Sequence, residues 1–290
     1  MPSLKDVKTK IVGVGKTKQI TKAMNMVASA KLRGAQAKIE RFRPYAAKYR
    51  DVIAELAAKA EGVNYPLLTP HEEQKNCGIV LVTSDRGLCG GFNANIIARA
   101  MKLANAKKAD GMNVKFFCIG RKGRDAARKS GFELGLSHAD RMGSIDFPLA
   151  AAMGEEVIEQ FERGELDEVY LVYGEFVSMA HQPPAELPLL PLKAPEEEKK
   201  EGPHCEYIYE PSEAKLLEAL LPRYVNVQIY RALLDTSASE NAARMAAMDN
   251  ATRNCNDLIN TLTLLYNKTR QASITSELID IVGGAEALNG

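Results

Sequence analysis

The sequence predicts an α/β protein in which a small α/β domain is inserted between two long helices from the chain ends. Those helices are expected to pair as a long antiparallel coiled coil. Three observations predict this. Apolar and small residues recur every 3.5 residues from Leu4 to Ala60. Sixty residues between Pro222 and Gly283 hold neither glycine nor proline. Between these ends, short apolar runs alternate with amphipathic stretches. The implied division is 1–60 (N-terminal helix), 75–210 (α/β domain) and 211–290 (long C-terminal helix).

The N-terminal stripe runs Leu4, Val7, Ile11, Val14, then polar Lys18, Thr21 and Asn25, then Ala28, Leu32, Ala35, Ile39 and onward to Leu56 and Ala60. A period of 3.5 rather than 3.6 keeps one seam facing a partner helix and imposes left-handed supercoiling. Pro44 is expected to kink this helix or loosen a turn.

The middle zone reads differently. CGIVLVTSD (77–85), NVKFFCIG (113–120) and DEVYLVYGEFVS (167–178) are short buried-strand runs. FNANIIARAMKLANAKKAD, KGRDAARKSG and DFPLAAAMGEEVIEQFERG read as helices between them. Alternation of this kind predicts a small parallel, Rossmann-like sheet. The Pro-rich QPPAELPLLPL suggests an edge strand followed by a charged mobile loop, and CEYIYEP (205–211) a last strand.

The C-terminal stripe takes in Leu234, Ala238, Asn241, Met245, Met248, Thr252, Cys255, Ile259, Leu262, Tyr266, Thr269 and Ser273. A helix of about sixty residues spans ~90 Å.

Lys plus Arg is 38 and Asp plus Glu is 37, so global charge gives no case for nucleic-acid binding. Residues 1–59 hold 14 Lys/Arg against 4 Asp/Glu, a local charge of +10, and 235–290 hold 4 against 7. A basic head on DNA would predict a steep salt dependence, but no aromatic precedes Phe42 in it. Five scattered cysteines without a CxxC support neither a disulfide framework nor a zinc site. MPSLKDVKTK lacks the apolar core of a signal peptide, and no run of 18 apolar residues exists to span a membrane.

Gly15-Lys16-Thr17 looks like the end of a phosphate-binding loop. The pattern GxxxxGK[ST] needs a glycine five residues earlier and a preceding buried strand. Lys10 stands there, within a helical period. SDRGLCGGFN (84–93) lacks GxGxxG spacing. The histidines, His71, His138, His181 and His204, are expected in loops. No nucleophile–base pair is evident, so neither a catalytic site nor a cofactor is expected. A nucleotide-binding α/β enzyme with helical arms is the alternative reading.

ITKAMNMVASAKLRGAQ near the start, TSDRGLCGGFN in the middle and YNKTRQASITSELIDIVGGAEAL at the end resemble the gamma-subunit family of F-type ATP synthases. Ile274-Thr275, Glu277, Asp280, Gly284-Ala285 and Ala287 fall at the family's signature spacing. The resemblance implies a non-catalytic rotor shaft of a proton-translocating synthase, one copy per complex. It would work among a hexamer of alpha and beta subunits, an epsilon subunit and a c-subunit ring. It would reach the membrane only through that ring, at the cytoplasmic face of a bacterial inner membrane. The regulatory cysteine insertion of chloroplast members is absent.

Residue by residue, the resemblance implies beta-subunit contacts at Arg270, Gln271, Thr275, Arg244, Glu277, Met24 and Cys89. It implies an apolar tip turning in a sleeve, with Leu278, Ile279, Ile281, Val282, Ala285 and Leu288. Tyr207 and Glu210 match a foot on the c ring.

Overall fold

The structure is a computed structural model that describes residues 3–59, 65–192, 210 and 212–289. It comprises two compact units: Met1–Ala28 with Met245–Gly290, and Ser29–Arg244. Helix α1 (Leu4–Lys59) and helix α5 (Glu213–Asn289) each contribute to both.

Helix α1 starts at a capping box. The Asp6 backbone N–H donates to Ser3 Oγ at 3.2 Å, and the Ser3 N–H donates back to the Asp6 carboxylate at 3.3 Å. Every described position of the 3.5-residue stripe from Leu4 to Leu56 is buried or half-buried, and none is exposed. The helix runs through Pro44 without a break in assignment. Tyr45 and Tyr49 follow the proline, and Tyr49 anchors the turn by donating to the Leu220 carbonyl at 3.0 Å.

In Ser29–Arg244 the strands are β1 (Asn76–Val82), β2 (Asn113–Ile119), β3 (Glu133–His138), β4 (Glu168–Gly174) and β5 (Pro184–Leu190). The helices between them are α2 (Phe92–Ala109), α3 (Arg121–Lys129) and α4 (Phe147–Glu162). Sheet order is β3-β2-β1-β4-β5, with parallel pairing except for the antiparallel β4–β5 edge. The sheet is therefore mixed rather than wholly parallel. Pro184 and Pro188 lie on the edge strand, where missing N–H groups cost no inner ladder bond.

Alternation along β1 and β2 divides the core. Cys77, Ile79, Leu81, Phe116 and Cys118 pack under α2 and α3. Val80, Val82, Phe117 and Ile119 pack against α4, the start of α5 and the end of α1. Strand β3 was not expected from ELGLSH, whose apolar content is low. Parallel pairing with β2 makes it a strand, and its Gly135 makes room for a fully buried aromatic, since a Cβ there would sit 2.6 Å from the Phe117 ring. His138 accordingly ends a strand rather than lying in a loop.

Helix α5 is longer than the Pro222–Gly283 window at both ends. It begins at Glu213, passes Pro222 and continues through Gly283-Gly284. An interior proline disfavours a helix by roughly 3 kcal/mol. Burial of Leu217, Leu221 and Val225 at 0–2% exposure opposes that penalty. The strand expected at 205–211 and the loop expected after 192 lie outside the described residues, apart from Glu210.

Candidate functional site

The β1–α2 loop, 83–91, is tied by hydrogen bonds to several elements of the Ser29–Arg244 unit. Asp85 uses its carboxylate as an acceptor for three backbone N–H groups: Arg121 at 2.9 Å, Asp140 at 2.8 Å and Met142 at 3.0 Å. The Thr83 hydroxyl accepts the Gly123 N–H at 2.8 Å. Gly120, at φ +105°, lies so close beneath that a Cβ would be 2.1 Å from the Thr83 carbonyl oxygen. Asn93, from the first turn of α2, accepts the Ser84 N–H at 3.0 Å and donates to the Arg86 carbonyl at 3.3 Å.

Helix α5 closes the other side. Arg244 donates to the Gly87 carbonyl at 3.1 Å and to Glu240 at 2.7 Å. Both side chains of that ion pair are nearly buried, at 14% and 10% exposure. The clamp fixes an unusual tip. Leu88 has φ +63° and is 66% exposed. A left-handed conformation costs a branched side chain on the order of 1–2 kcal/mol, and the surrounding bonds over-determine it. Cys89 beside it is 1% exposed, and burial pushes its thiol up from the usual range. Cys89, expected as a beta-subunit contact, is thus buried within this chain, and the exposed residue beside it is Leu88. Arg244, expected as a beta-subunit contact, is nearly buried and bonds to Gly87 and Glu240 of its own chain.

Two places where such a sheet ordinarily takes a nucleotide are filled by the chain itself. The crevice where strand order reverses, at the carboxyl ends of β1 and β4, holds α5. Thr236 Oγ1 accepts the Gly174 N–H at 3.3 Å, and Ser239 donates to the Gly174 carbonyl at 3.2 Å. The N–H at the start of α3 carries the Asp85 carboxylate. Gly15-Lys16-Thr17 lies inside α1, with the Thr17 hydroxyl donating to the Gly13 carbonyl at 3.2 Å. Among the described residues no group of three His, Cys, Asp or Glu is placed to hold a metal ion.

In the unit of Met1–Ala28 with Met245–Gly290, the polar stretch of the stripe finds its partners. The Thr21 and Thr252 hydroxyls are 2.7 Å apart, and Asn25 donates to the Met245 carbonyl at 2.8 Å. Rising numbers on α1 meet falling numbers on α5, so the pair is antiparallel. Extending the pairing places Leu4 opposite about residue 268, so the end of α5 extends past the start of α1 and has no paired helix among the described residues. Along α5 the expected seam positions Cys255, Ile259, Leu262, Tyr266, Thr269 and Ser273 are half-buried.

Beyond them every described side chain from Ile274 to Ala285 is exposed. Leu278, Ile279, Ile281 and Val282 are 57–67% exposed. Arg270, Gln271, Thr275 and Glu277 share this end and are also exposed. Thr275 donates to the Gln271 carbonyl at 2.9 Å, and Ser273 to Glu277 at 3.3 Å. Met24 is half-buried. Leu288 lies in the helix with its side chain outside the described residues, Tyr207 lies outside them altogether, and Glu210 is exposed. No helix among the described residues is long and apolar enough to cross a membrane.

Comparison with known proteins is consistent along the chain. A family model described as ATP synthase matches residues 3–288. An ATP synthase gamma chain of Nitratidesulfovibrio vulgaris strain Hildenborough is 65% identical over 100% of both chains. One from Lawsonia intracellularis is 56% identical over 99% of this chain and 100% of its own. Among solved structures, a chain of the Tetrahymena thermophila mitochondrial ATP synthase central stalk and c ring aligns with TM-score 0.60 and 25% identity, covering 80% of this chain and 99% of that one. A chain of the Euglena gracilis mitochondrial OSCP/F1/c-ring assembly has the same fold, with TM-score 0.65 and 22% identity over 98% of this chain and 94% of that one.

Proposed function

The chain belongs to the ATP synthase gamma family, and on that premise we propose how it performs the rotor role. It is a shaft without a catalytic site of its own. A ring of c subunits turns its foot, with Tyr207 and Glu210 as the contact. The shaft then presents different faces to three beta subunits in turn, inside a hexamer of alpha and beta subunits. Differential contact, not nucleotide binding by this chain, biases the conformational states of those subunits. An epsilon subunit completes the rotor, one copy of each per complex, at the cytoplasmic face of a bacterial inner membrane.

One observation carries this reading: the end of α5 has no paired helix among the described residues and leaves Ile274, Leu278, Ile279, Ile281 and Val282 exposed. Apolar surface left in water at this density marks a surface that another protein covers. Apolar contacts are non-directional and suit a tip that turns within a sleeve. Arg270, Gln271, Thr275 and Glu277, at the base of that end, are exposed polar groups. Exposed pairs are worth about 0–1 kcal/mol each, weak enough to break and re-form at every step. Met24 serves as a further beta contact. At the clamped loop the contact passes from Cys89 to Leu88, and Arg244 serves it by holding Gly87. The self-filled crevice at Gly174 and the Asp85 carboxylate on α3 weigh against the nucleotide-binding alternative.

The test is truncation. Removing residues beyond 270 from the chain in the assembled complex should reduce coupled ATP synthesis several-fold or more. The thermal stability of the Ser29–Arg244 unit, which lacks these residues, should stay unchanged. Full coupled synthesis by the truncated complex would overturn the reading.

A further inference from the structure

Among the described residues of the Ser29–Arg244 unit, five large apolar side chains are exposed: Tyr45, Leu88, Phe147, Val177 and Met179. Tyr45 and Phe147 lie against other rings, those of Tyr49 and Tyr230. The remaining three stand on two loops, Leu88 between β1 and α2, and Val177 with Met179 between β4 and β5. Apolar residues scattered singly over a surface are ordinary. These three are gathered instead, on two loops that leave the carboxyl ends of adjacent parallel strands.

The two loops share their supports. Gly174, the last residue of β4, lies so close to Phe92, the first residue of α2, that a Cβ would sit 2.5 Å from the ring. On α5, Ser239 donates to the Gly174 carbonyl and Arg244 to the Gly87 carbonyl. Positions 239 and 244 are about 7.5 Å apart along a helix. One short stretch of α5 therefore holds both loops.

The β4–β5 tip is also closed on itself. The Ser178 N–H donates to the His181 carbonyl at 3.1 Å, and the His181 N–H returns to the Ser178 carbonyl at 3.3 Å. The Ser178 hydroxyl accepts the N–H groups of Ala180 and His181 at 3.3 and 3.1 Å. The Gln182 side chain donates to the carbonyls of Ser178 and Met179, each at 2.7 Å. None of these bonds uses the side chain of Val177 or Met179, so polar residues there would close the turn as well. The side chains are nevertheless apolar and exposed, at 58% and 56%. Residues 176–185, FVSMAHQPPA, include no Lys, Arg, Asp or Glu. The tip offers apolar contact rather than charge.

We propose that Val177 and Met179 form a second apolar contact for the beta subunit that meets Leu88. The proposal rests on the rotor reading, in which loop 83–91 meets beta, and continuity with that contact names the occupant. A surface that reaches Leu88 has the β4–β5 tip beside it, on the same supports. A locked tip tied to α5 passes a push to the helix instead of bending. The size of the patch decides against a subunit that turns with the shaft. A permanent interface buries on the order of 2,000 Å² or more around a broad apolar core. Three side chains on two separate turns supply a small part of that, which fits a contact made and broken at each step.

The test replaces Leu88, Val177 or Met179, one at a time, with the photo-reactive residue p-benzoylphenylalanine in the assembled complex. Illumination during ATP hydrolysis samples every angle of the shaft, and mass spectrometry identifies the subunit that is captured. Positions 177 and 179 should each give an adduct with beta, as position 88 does. Capture of epsilon or alpha in place of beta at 177 and 179, or no capture there, overturns the proposal. If position 88 still captures beta in that case, the rotor reading stands. If none of the three captures beta, the Leu88 contact falls as well. In a second measurement Val177→Ser/Met179→Ser should lower coupled ATP synthesis several-fold. Its melting temperature should stay within about 1 °C of the parent, because both side chains stand clear of the core. Full coupling in that variant also overturns the proposal.

Discussion

Thr21 and Thr252, far apart in sequence, place their hydroxyl oxygens 2.7 Å apart in the seam between α1 and α5. Each also has a local acceptor, the Lys18 carbonyl at 3.0 Å and the Met248 carbonyl at 2.8 Å. A polar pair inside a coiled-coil seam contributes little net stability but fixes register, because a shift of one helix breaks the bond across the seam and sets a hydroxyl against apolar neighbours. Asn25, bonded to the Met245 carbonyl, adds a second register point.

Thr21→Val or Thr252→Val alone should therefore cost about 1 kcal/mol, the net worth of the hydrogen bond across the seam, since the remaining hydroxyl keeps only its local acceptor. The double replacement should cost less than the sum, because two apolar groups of the same shape meet. Urea unfolding of the four proteins measures the coupling. Strict additivity would mean that the contact carries no energy of its own.

Gly154 on α4 faces Asn226 on α5 at a distance that leaves no room for a side chain. A Cβ would sit 1.8 Å from Asn226 Oδ1. Gly154→Ala should destabilise the Ser29–Arg244 unit by about 3 kcal/mol through overpacking, although alanine favours helices. Asn226→Ala should recover much of that loss when combined with it. Thermal unfolding of the single and double variants decides. An alanine at 154 tolerated without loss would show that the two helices part easily.

Asp235, on the buried face of α5, has its carboxyl pushed up to about 6 by burial, with Glu175 adding to the effect and Arg231 and Arg43 opposing it. The raised value means that the folded state holds the proton more tightly than the unfolded one. Stability from this group is fully present below about pH 4 and lost as pH rises through about 6. Asp235→Asn should remove that loss. The variant should be more stable than the parent near pH 7.5 by roughly 2 kcal/mol, with the gain shrinking towards pH 4. Melting temperatures across this range test the sign, and a variant less stable at pH 7.5 would show that the Arg231 pair outweighs desolvation.

Both helical seams were legible in the sequence because their periodicity is local and repeated. No described stripe position from Leu4 to Leu56 is exposed. The reason for the polar gap at Lys18, Thr21 and Asn25 was not legible, because its partners Thr252 and Met245 lie at the other end of the chain. Strand β3 is not legible in ELGLSH because pairing with β2 sets it and Gly135 answers to the Phe117 ring rather than to strand propensity. The helix implied over 211–290 already crosses Pro222, and in α5, Glu213–Asn289, core burial of Leu217 and Leu221 overrides that local signal. The loop at 83–91 was legible as special, but not which way it faces. That depends on Arg244 and Asp85, whose bonds reach residues far along the chain.

The facing of that loop makes the sharpest test. Cys89 is 1% exposed with its thiol pushed up by burial, so a small maleimide should modify it slowly in the native full chain. Leu88→Cys, made with Cys89→Ser, should react at least tenfold faster, since position 88 is open to solvent. Arg244→Ala removes the donor to the Gly87 carbonyl and leaves Glu240 nearly buried without its cation. The loop then loosens, and Cys89 should become several-fold more reactive in that variant. Leu88→Ala leaves the clamp intact and should lower coupled synthesis in the assembled complex without changing the melting temperature by more than about 1 °C. A Cys89 that reacts as fast as position 88 would mean that the Arg244 clamp does not hold the loop. A Leu88→Ala complex with full coupling would remove this residue from the contact with its neighbours.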